Sequence, residues 1–154
     1  MNVVYAHEAP ENTLLESIFL AGPSPRDSSH HDWRPEALRA LKELGFGGDV
    51  FVPLPRDGEW LPNYDAQVEW ELKYLERASC VVFWIPRDLN SLPAFTTNVE
   101  FGMYVDSGKV VLGFPVEAPK MKYLYYIAVK NNVPVSHTLE VTLAKAVRIS
   151  RVLF

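Results

Sequence analysis

Short apolar runs recur along the chain at the spacing expected for strands that alternate with helices. The four strongest lie at residues 17–22, 50–53, 80–86 and 109–115. Runs of this length, bounded by glycine, proline or polar residues, predict strands that are buried on both faces. Two weaker runs, at residues 3–5 and 133–135, predict short strands, the first of them at an edge of the sheet.

Segments with a helical period separate these runs. They predict helices over residues 33–44, 64–78, 97 to about 106, 120–129 and 138–153. In the helix at 64–78, Val68, Leu72 and Leu75 define the predicted core stripe, which leaves Trp70 and Tyr74 together on another face.

The alternation of strands and helices predicts the fold class. We expect one domain over residues 1–154 with an α/β, three-layer architecture. Its mostly parallel, five-stranded sheet should carry helices on both faces, in a flavodoxin-like or Rossmann-like strand order.

Parallel sheets bind their ligands at the carboxyl ends of the strands, which directs attention to the start of the helix near Thr97. Thr97 and Glu100 have the Thr-x-x-Glu spacing of a capping box, so Thr97 is predicted to cap this helix and Glu100 to lie in its first turn. The helix N-terminus should then help to keep Glu100 ionised. Capping alone would account for Glu100, so a purely structural role stays open beside a chemical one.

Glu71 is the second candidate carboxylate. It lies at the margin of the predicted buried face of the helix at 64–78, and Glu69 points to the other side of that stripe. An ion pair between Glu71 and Arg77 or Lys73 is the structural alternative.

Composition and charge restrict the classes of function. The net charge is −4 and the pI is about 5.5, so no nucleic acid polymer is expected as a partner. The single cysteine, Cys80, lies inside an apolar run, so no disulfide framework is expected. No apolar run approaches the ~18 residues of a membrane span. No secretory signal is apparent. We therefore expect a cytoplasmic protein that does not contact a membrane. The chain has no dinucleotide, Walker or zinc-ligand motif, so no cofactor and no metal site are expected.

An ordered set of motifs resembles the nucleoside 2-deoxyribosyltransferase family, and within it the branch called nucleoside 2-deoxyribosyltransferase-like. The first motif is the glycine-ended strand at 18–23, and the second is Trp70-Glu71-x-x-x-Leu75-x-x-Ala78 before the strand at 83–86. The third and most specific is Thr-Thr-Asn-x-Glu-Phe-Gly at 96–102, before residues 108–111. The resemblance covers approximately residues 17–114.

The resemblance implies cleavage or transfer of the N-glycosidic bond of a nucleoside or nucleotide. Glu100 matches the family's nucleophile, which forms a covalent glycosyl-enzyme intermediate that a free nucleobase or water then resolves. The acid that handles the base falls at or beside Glu71. The remaining residues that we expect to bind substrate are Ala21, Gly22, Pro23, Ser24, Arg26, Glu69, Asp88, Asn90, Thr97, Asn98 and Gly102.

Two positions depart from the family pattern. An aspartate that often contacts the sugar hydroxyls, about six residues before the nucleophile, is Ala94 here, with Asp88 and Asn90 as the nearby stand-ins. A tyrosine of the first strand that steadies the nucleophile is Phe19. Both departures bear on base exchange, so a hydrolase without base exchange, or a different ribosyl or nucleotide substrate, stays open. Two non-catalytic alternatives also stay open: a nucleotide-binding or sensing domain, and a structural Rossmann-like module that dimerises through aromatic faces.

Two further expectations concern the phosphate and the oligomer. Ser24 and Arg26 follow the first strand, where they could hold a 5′-phosphate, although a solvent-facing arginine is the alternative. We expect at least a homodimer, because Trp70 and Tyr74 would otherwise expose aromatic area, as would the tyrosines at 123–126. The resemblance also implies that a neighbouring chain completes each pocket. Packing of Trp70 under the loop at 55–63 is the alternative.

Overall fold

The computed structural model describes residues 1–11, 14, 16–25, 30–60 and 62–152. Within them the strands are β1 (Asn2–Tyr5), β2 (Ser17–Ala21), β3 (Asp49–Val52), β4 (Cys80–Trp84), β5 (Val110–Gly113) and β6 (Val135–Ser136). The helices are α1 (Arg34–Glu43), α2 (Tyr64–Arg77), α3 (Phe95–Tyr104), α4 (Lys122–Lys130) and α5 (Leu139–Val152).

The strands form one sheet in the order β1-β3-β2-β4-β5-β6, and every neighbouring pair is parallel. The predicted α/β fold with a parallel sheet is therefore confirmed, with six strands instead of five. Strands β2 to β6 alone have the flavodoxin-like order. The additional strand, β1, extends the sheet because it pairs with β3 over its whole length, from Asn2 beside Asp49 to Tyr5 beside Val52.

Helices cover both faces of this sheet, which gives the three predicted layers. Helices α1 and α5 share one apolar core with the sheet, in which Ala37, Leu41 and Leu143 are fully buried. Helices α2, α3 and α4 share the other, which contains Tyr74, Phe101 and Ala128. None of the described helices combines the length and the apolar character that a membrane crossing requires.

The buried face of α2 differs from the predicted one. Trp70 and Tyr74 are 8% and 1% exposed, whereas Leu72, which we expected in the core, is 40% exposed. Trp70 packs on Tyr74 with ring centroids 4.7 Å apart, and its Nε1 donates a hydrogen bond to the carbonyl of Glu8 at 2.8 Å. The argument for a dimer from exposed Trp70 and Tyr74 is therefore wrong, because both side chains belong to the core of one chain.

The beginning of α3 also differs from its prediction. The helix begins at Phe95, two residues before Thr97, and Ala94 occupies the capping position in a left-handed conformation with φ of 60°. Thr97 is buried within the first turn and does not cap the helix, so the predicted capping box is wrong. Glu100 is the sixth residue of α3, and its side chain is free of that structural role.

Candidate active site

A cavity of about 290 Å³ lies where β2 and β4 end. The chain leaves β2 for β3 on one side and returns to β4 on the other, so these two strands form the switch point at which such sheets bind ligands. Segments 21–24 and 91–96 form much of the wall, and side chains of α2 and α3 complete it. The volume is close to the lower limit of ordinary small-molecule sites, about 300 Å³.

The end of β2 requires glycine at position 22. A Cβ atom there would lie 2.2 Å from the carbonyl oxygen of Trp84, so no other residue lets β2 and β4 end this close together. Helix α1 braces the same segment from outside the cavity. Trp33 Nε1 donates to the carbonyl of Pro23 at 3.3 Å, and Arg34 donates to the carbonyl of Gly22 at 2.8 Å and to that of Leu20 at 3.2 Å.

Glu100 lines the cavity from α3, one turn after Thr96. Its neighbour Phe101 packs edge-on against Phe83 of β4, with ring centroids 5.4 Å apart, which fixes the helix on the sheet. Burial raises the pKa of Glu100 to about 8, and the negative charge of Glu71 contributes to this rise. The expectation that the helix N-terminus keeps Glu100 ionised is therefore wrong, since the partial charge of a helix end acts within its first turn.

Glu71 lines the cavity from α2. Its Oε1 accepts a hydrogen bond from Gln67 Nε2 at 2.7 Å. Burial raises the pKa of this carboxyl, while the hydrogen bond from Gln67 and the charge of Arg34 oppose the rise. The expected structural alternative, an ion pair with Arg77 or Lys73, is not found: Arg77 pairs with Asp49.

Arg34 is the cation that acts on both carboxyls. Its side chain is 1% exposed, forms an ion pair with Asp32 at 3.3 Å, and lowers the pKa values of Glu71 and Glu100 through its charge. Neither carboxylate forms an ion pair with any described residue. Two partly buried acids thus share one cavity without direct neutralisation, an arrangement that is typical of sites that move protons or stabilise cations.

The other residues predicted from the sequence fall into separate groups. Ala21, Gly22, Pro23 and Ser24 line the cavity. Glu69 is exposed and is not among the described lining residues, so the structure separates it from Glu71. Arg26 lies outside the described residues.

Asp88 and Asn90 lie in the loop after β4 and are not among the described residues that line the cavity. Asp88 Oδ1 accepts hydrogen bonds from the backbone N–H groups of Asn90 and Ser91 and from the Ser91 hydroxyl, at 2.9, 2.8 and 2.9 Å. This carboxylate therefore shapes the loop, and it holds Ser91, where the part of the loop that lines the cavity begins.

Thr97, Asn98 and Gly102 belong to α3 but are likewise not among the described lining residues. Thr97 is buried and Gly102 is exposed. Asn98 Oδ1 accepts a hydrogen bond from Arg87, whose Nη1 donates to the carbonyl of Lys120 at 3.0 Å. Asn98 therefore helps to tie α3 to the segment before α4.

Several residues that line the cavity or act on its carboxyls were not anticipated from the sequence. Gln67 lies one turn before Glu71, and their spacing of four residues was a usable signal that they share a helix face. Arg34 sits in the first turn of α1, where the helix dipole disfavours a cation, and that anomaly pointed to a tertiary role. The exposed aromatic residues Trp60, Tyr64 and Phe95 surround the mouth of the cavity.

Comparison with known protein families gives one match. A family model described as "Nucleoside 2-deoxyribosyltransferase like" matches residues 16–117, which is more than half of the chain. The matched region begins just before β2 and extends past β5, so it contains Glu71, Glu100 and the segments that form the cavity wall. A search of curated proteins finds no match.

Proposed function

The chain belongs to the nucleoside 2-deoxyribosyltransferase-like family, and we propose that it cleaves or transfers the N-glycosidic bond of a (deoxy)nucleoside or nucleotide. The observation that supports this most directly is the pair Glu71 and Glu100, which lie in one cavity at the switch point without an ion-pair partner among the described residues. Such a pair can supply both a nucleophile and an acid to one glycosidic bond.

In the first step, an ionised Glu100 oxygen attacks C1′ of the sugar. The C1′–N bond breaks, its electron pair goes to the base, and the Glu71 carboxyl supplies the proton that the departing base requires. The products are a glycosyl ester of Glu100, a neutral base and an ionised Glu71.

In the second step, the glycosyl ester is resolved. A free base or a water molecule attacks C1′, the C1′–O bond to Glu100 breaks, and Glu71 accepts the proton that the nucleophile loses. Attack by a base gives transfer, and attack by water gives hydrolysis. Both outcomes return Glu100 to its carboxylate and Glu71 to its carboxyl form.

The raised pKa values fit a site that holds one proton between the two acids. The proposed reaction requires this proton on Glu71 and an ionised Glu100, whereas the raised pKa of Glu100, about 8, favours its protonated form in the unliganded pocket. A positively charged transition state stabilises the Glu100 carboxylate, which the unliganded pocket disfavours. The positive charge that develops on the sugar therefore stabilises the ionised Glu100 as the C1′–N bond breaks.

The alternatives concern what happens after binding. Ala94 lines the cavity at the position of the family's sugar-contacting aspartate, and Asp88 bonds within its own loop. This arrangement favours weak control of the acceptor and therefore hydrolysis without base exchange as the first alternative. A nucleotide-binding or sensing domain without catalysis is the second.

Incubation with a panel of nucleosides and their 5′-monophosphates, with and without free bases, tests the proposal. Chromatography of released and exchanged bases should show new nucleosides for a transferase and only free base for a hydrolase. Binding of a panel member without either product would identify a sensing domain. If no panel member binds or reacts, the proposed function is wrong. The comparison of each nucleoside with its monophosphate also tests the phosphate role of Ser24 and Arg26.

We retain the homodimer as part of this proposal, on a different surface. Helix α3 exposes Phe95, Val99 and Met103, one turn apart, at 71%, 63% and 54%. Tyr64 and Leu72 of α2 are also exposed on the same side of the sheet. Exposed apolar stripes of this kind are typical of contact surfaces. Because Phe95 and Tyr64 line the cavity, a partner on this surface would lie next to the site.

Light scattering at micromolar concentration tests the dimer, since a monomer has a mass of 17.5 kDa. Val99→Glu should reduce the measured mass to that of a monomer. Val141→Glu is the matched control, because Val141 is also an exposed valine on a helix but belongs to α5 on the other face of the sheet. A monomeric unmodified chain would rule out the dimer at this concentration.

A further inference from the structure

Gln67 carries a buried hydrogen-bond acceptor that no described residue supplies with a donor. The residue is 6% exposed and lines the cavity from α2. Its Oε1 is buried and has no hydrogen-bond partner among the described residues. Buried amide oxygens are rarely left in this state, because the loss of water contacts is then not compensated.

The orientation of the amide follows from its neighbours. Gln67 Nε2 donates one proton to the carbonyl of Pro53 at 3.3 Å and the other to Glu71 Oε1 at 2.7 Å. A rotated amide would place its oxygen against the Pro53 carbonyl, which can only accept. The carbonyl imposes this orientation whether Glu71 is ionised or protonated. Both protons of the Gln67 amide are therefore used within the protein, and its oxygen is left as an acceptor of fixed position.

We propose that Gln67 reads the nucleobase, by accepting a hydrogen bond from an N–H group on the base through its unpartnered Oε1. This inference rests on the proposed function, because it takes the ligand to be a nucleoside. Gln67 lies on α2 and donates to Glu71, the acid that serves the base, whereas the nucleophile Glu100 comes from α3. The base therefore lies on the α2 side of the cavity.

A fixed acceptor distinguishes bases that carry an N–H donor from bases that do not. A base with an exocyclic amino group or a ring N–H satisfies Oε1, whereas a base without either leaves it buried and unpaired. Because Oε1 is already buried and unpartnered before a ligand binds, a base that supplies the missing donor should gain roughly 10- to 100-fold in affinity. The site should therefore prefer amino- or imide-bearing bases over analogues of the same shape that lack the donor.

Matched ligand pairs test this preference without altering the site. We would titrate 2′-deoxyadenosine against purine 2′-deoxyriboside, and 2′-deoxycytidine against its analogue without the 4-amino group, by calorimetry. The titrations use the full chain with Glu100→Gln, so that the nucleosides are not consumed. The donor-bearing member of at least one pair should bind roughly 10- to 100-fold more tightly.

Two substitutions on α2 assign this preference to Gln67. Gln67→Met should reduce the ratio within that pair to about one, while the exposed Lys73→Met, the matched control, should leave it unchanged. Equal affinities within both pairs, or a ratio that persists in Gln67→Met, would overturn the inference while the proposed function stands. If no nucleoside binds, the proposed function is wrong, and this inference falls with it.

Discussion

Partly or fully buried carboxylates lie at both ends of the sheet, with Asp49 at the amino end of β3 and Glu71 and Glu100 beside the carboxyl ends of β2 and β4. Asp49 is fully buried and well satisfied. Its Oδ1 accepts from Asn2 Nδ2 at 3.1 Å, and its Oδ2 accepts from Arg77 Nη2 at 3.3 Å. Glu71 accepts one hydrogen bond from a neutral amide, and Glu100 accepts none from the described residues.

The contrast separates a structural acid from acids that are available for chemistry. The fold can neutralise a buried carboxylate, as it does for Asp49 with Arg77. At the other end Arg34, whose charge acts on both glutamates, is engaged by Asp32 and by backbone carbonyls and forms an ion pair with neither of them. Proteins tolerate such incomplete satisfaction mainly where function requires it. The difference is therefore the strongest structural indication that the cavity is the working site.

The largest effect that the comparison predicts is on turnover. Glu100→Gln keeps the shape of the side chain but removes the nucleophilic oxygen, so it should lower the rate of base release by roughly three orders of magnitude or more. Asp49→Asn, assayed at a temperature at which it remains folded, should keep most of the activity. Chromatographic initial rates for both variants decide the matter, and near-normal turnover in purified Glu100→Gln would refute the assignment.

The next effect is on stability. Here the substitution at Asp49, and not the one at Glu100, should have the larger effect. Asp49→Asn leaves Arg77 without its partner and should lower the free energy of unfolding by about 3 kcal/mol, the lower end for a broken buried pair, because Arg77 reaches solvent. Urea unfolding followed by circular dichroism measures the loss. Glu8→Gln is the control: it breaks the largely exposed pair with Arg56 and should cost less than ~1 kcal/mol. Equal losses would mean that burial does not distinguish the two pairs.

Most of the fold could be predicted from the sequence, since the apolar runs that become β2 to β5 are buried on both sides of the sheet. Such strands need no tertiary information to be recognised. The face of α2 could not be assigned in the same way, because Val68 and Leu72 offered an alternative stripe to Trp70 and Tyr74. The larger aromatic side chains bury more surface, and they are the ones that the fold places in the core.

The parts of the site that belong to a sequence motif could be predicted. The parts that depend on tertiary geometry could not. The motif at 96–102 identified Glu100, but the capping role of Thr97 depended on where the helix begins. The start of the helix is set by Ala94, which adopts a left-handed conformation that the local sequence does not predict. The unpartnered oxygen of Gln67 likewise depends on Pro53, because the Pro53 carbonyl accepts from Gln67 Nε2 and so fixes the orientation of the amide. Pro53 is a neighbour in space that is distant along the chain.

A smaller effect links Glu100 to the pH dependence of stability. Its pKa is about 8 in the folded chain and near 4.5 in the unfolded chain, so between these values the folded state keeps a proton that the unfolded state releases. The free energy of unfolding must therefore fall as pH rises from about 4.5 to about 8. Glu100→Gln removes this contribution, so it should match the unmodified chain near pH 5 and exceed it at pH 8.5.

Thermal melts at the two pH values measure this difference. At pH 8.5 the melting temperature of Glu100→Gln should exceed that of the unmodified chain, by ~2–4 °C for each kcal/mol of the removed contribution. Asp49→Asn, by contrast, should be less stable than the unmodified chain at pH 8.5. If Glu100→Gln is equally or less stable there, Glu100 does not carry a raised pKa.

The smallest predicted effect tests the coupling between the two glutamates. Glu71→Gln removes a like charge near Glu100, so the pKa of Glu100 should fall below its value of about 8, while its burial keeps it above the ordinary value. The pH at which stability stops falling should move down with it, measured by melts at half-unit intervals. Glu69→Gln removes an equal charge from the exposed face of the same helix and should leave that pH unchanged. If Glu69→Gln produces the shift and Glu71→Gln does not, Glu69 is the partner of Glu100, and the acid of the proposed mechanism must be reassigned to it.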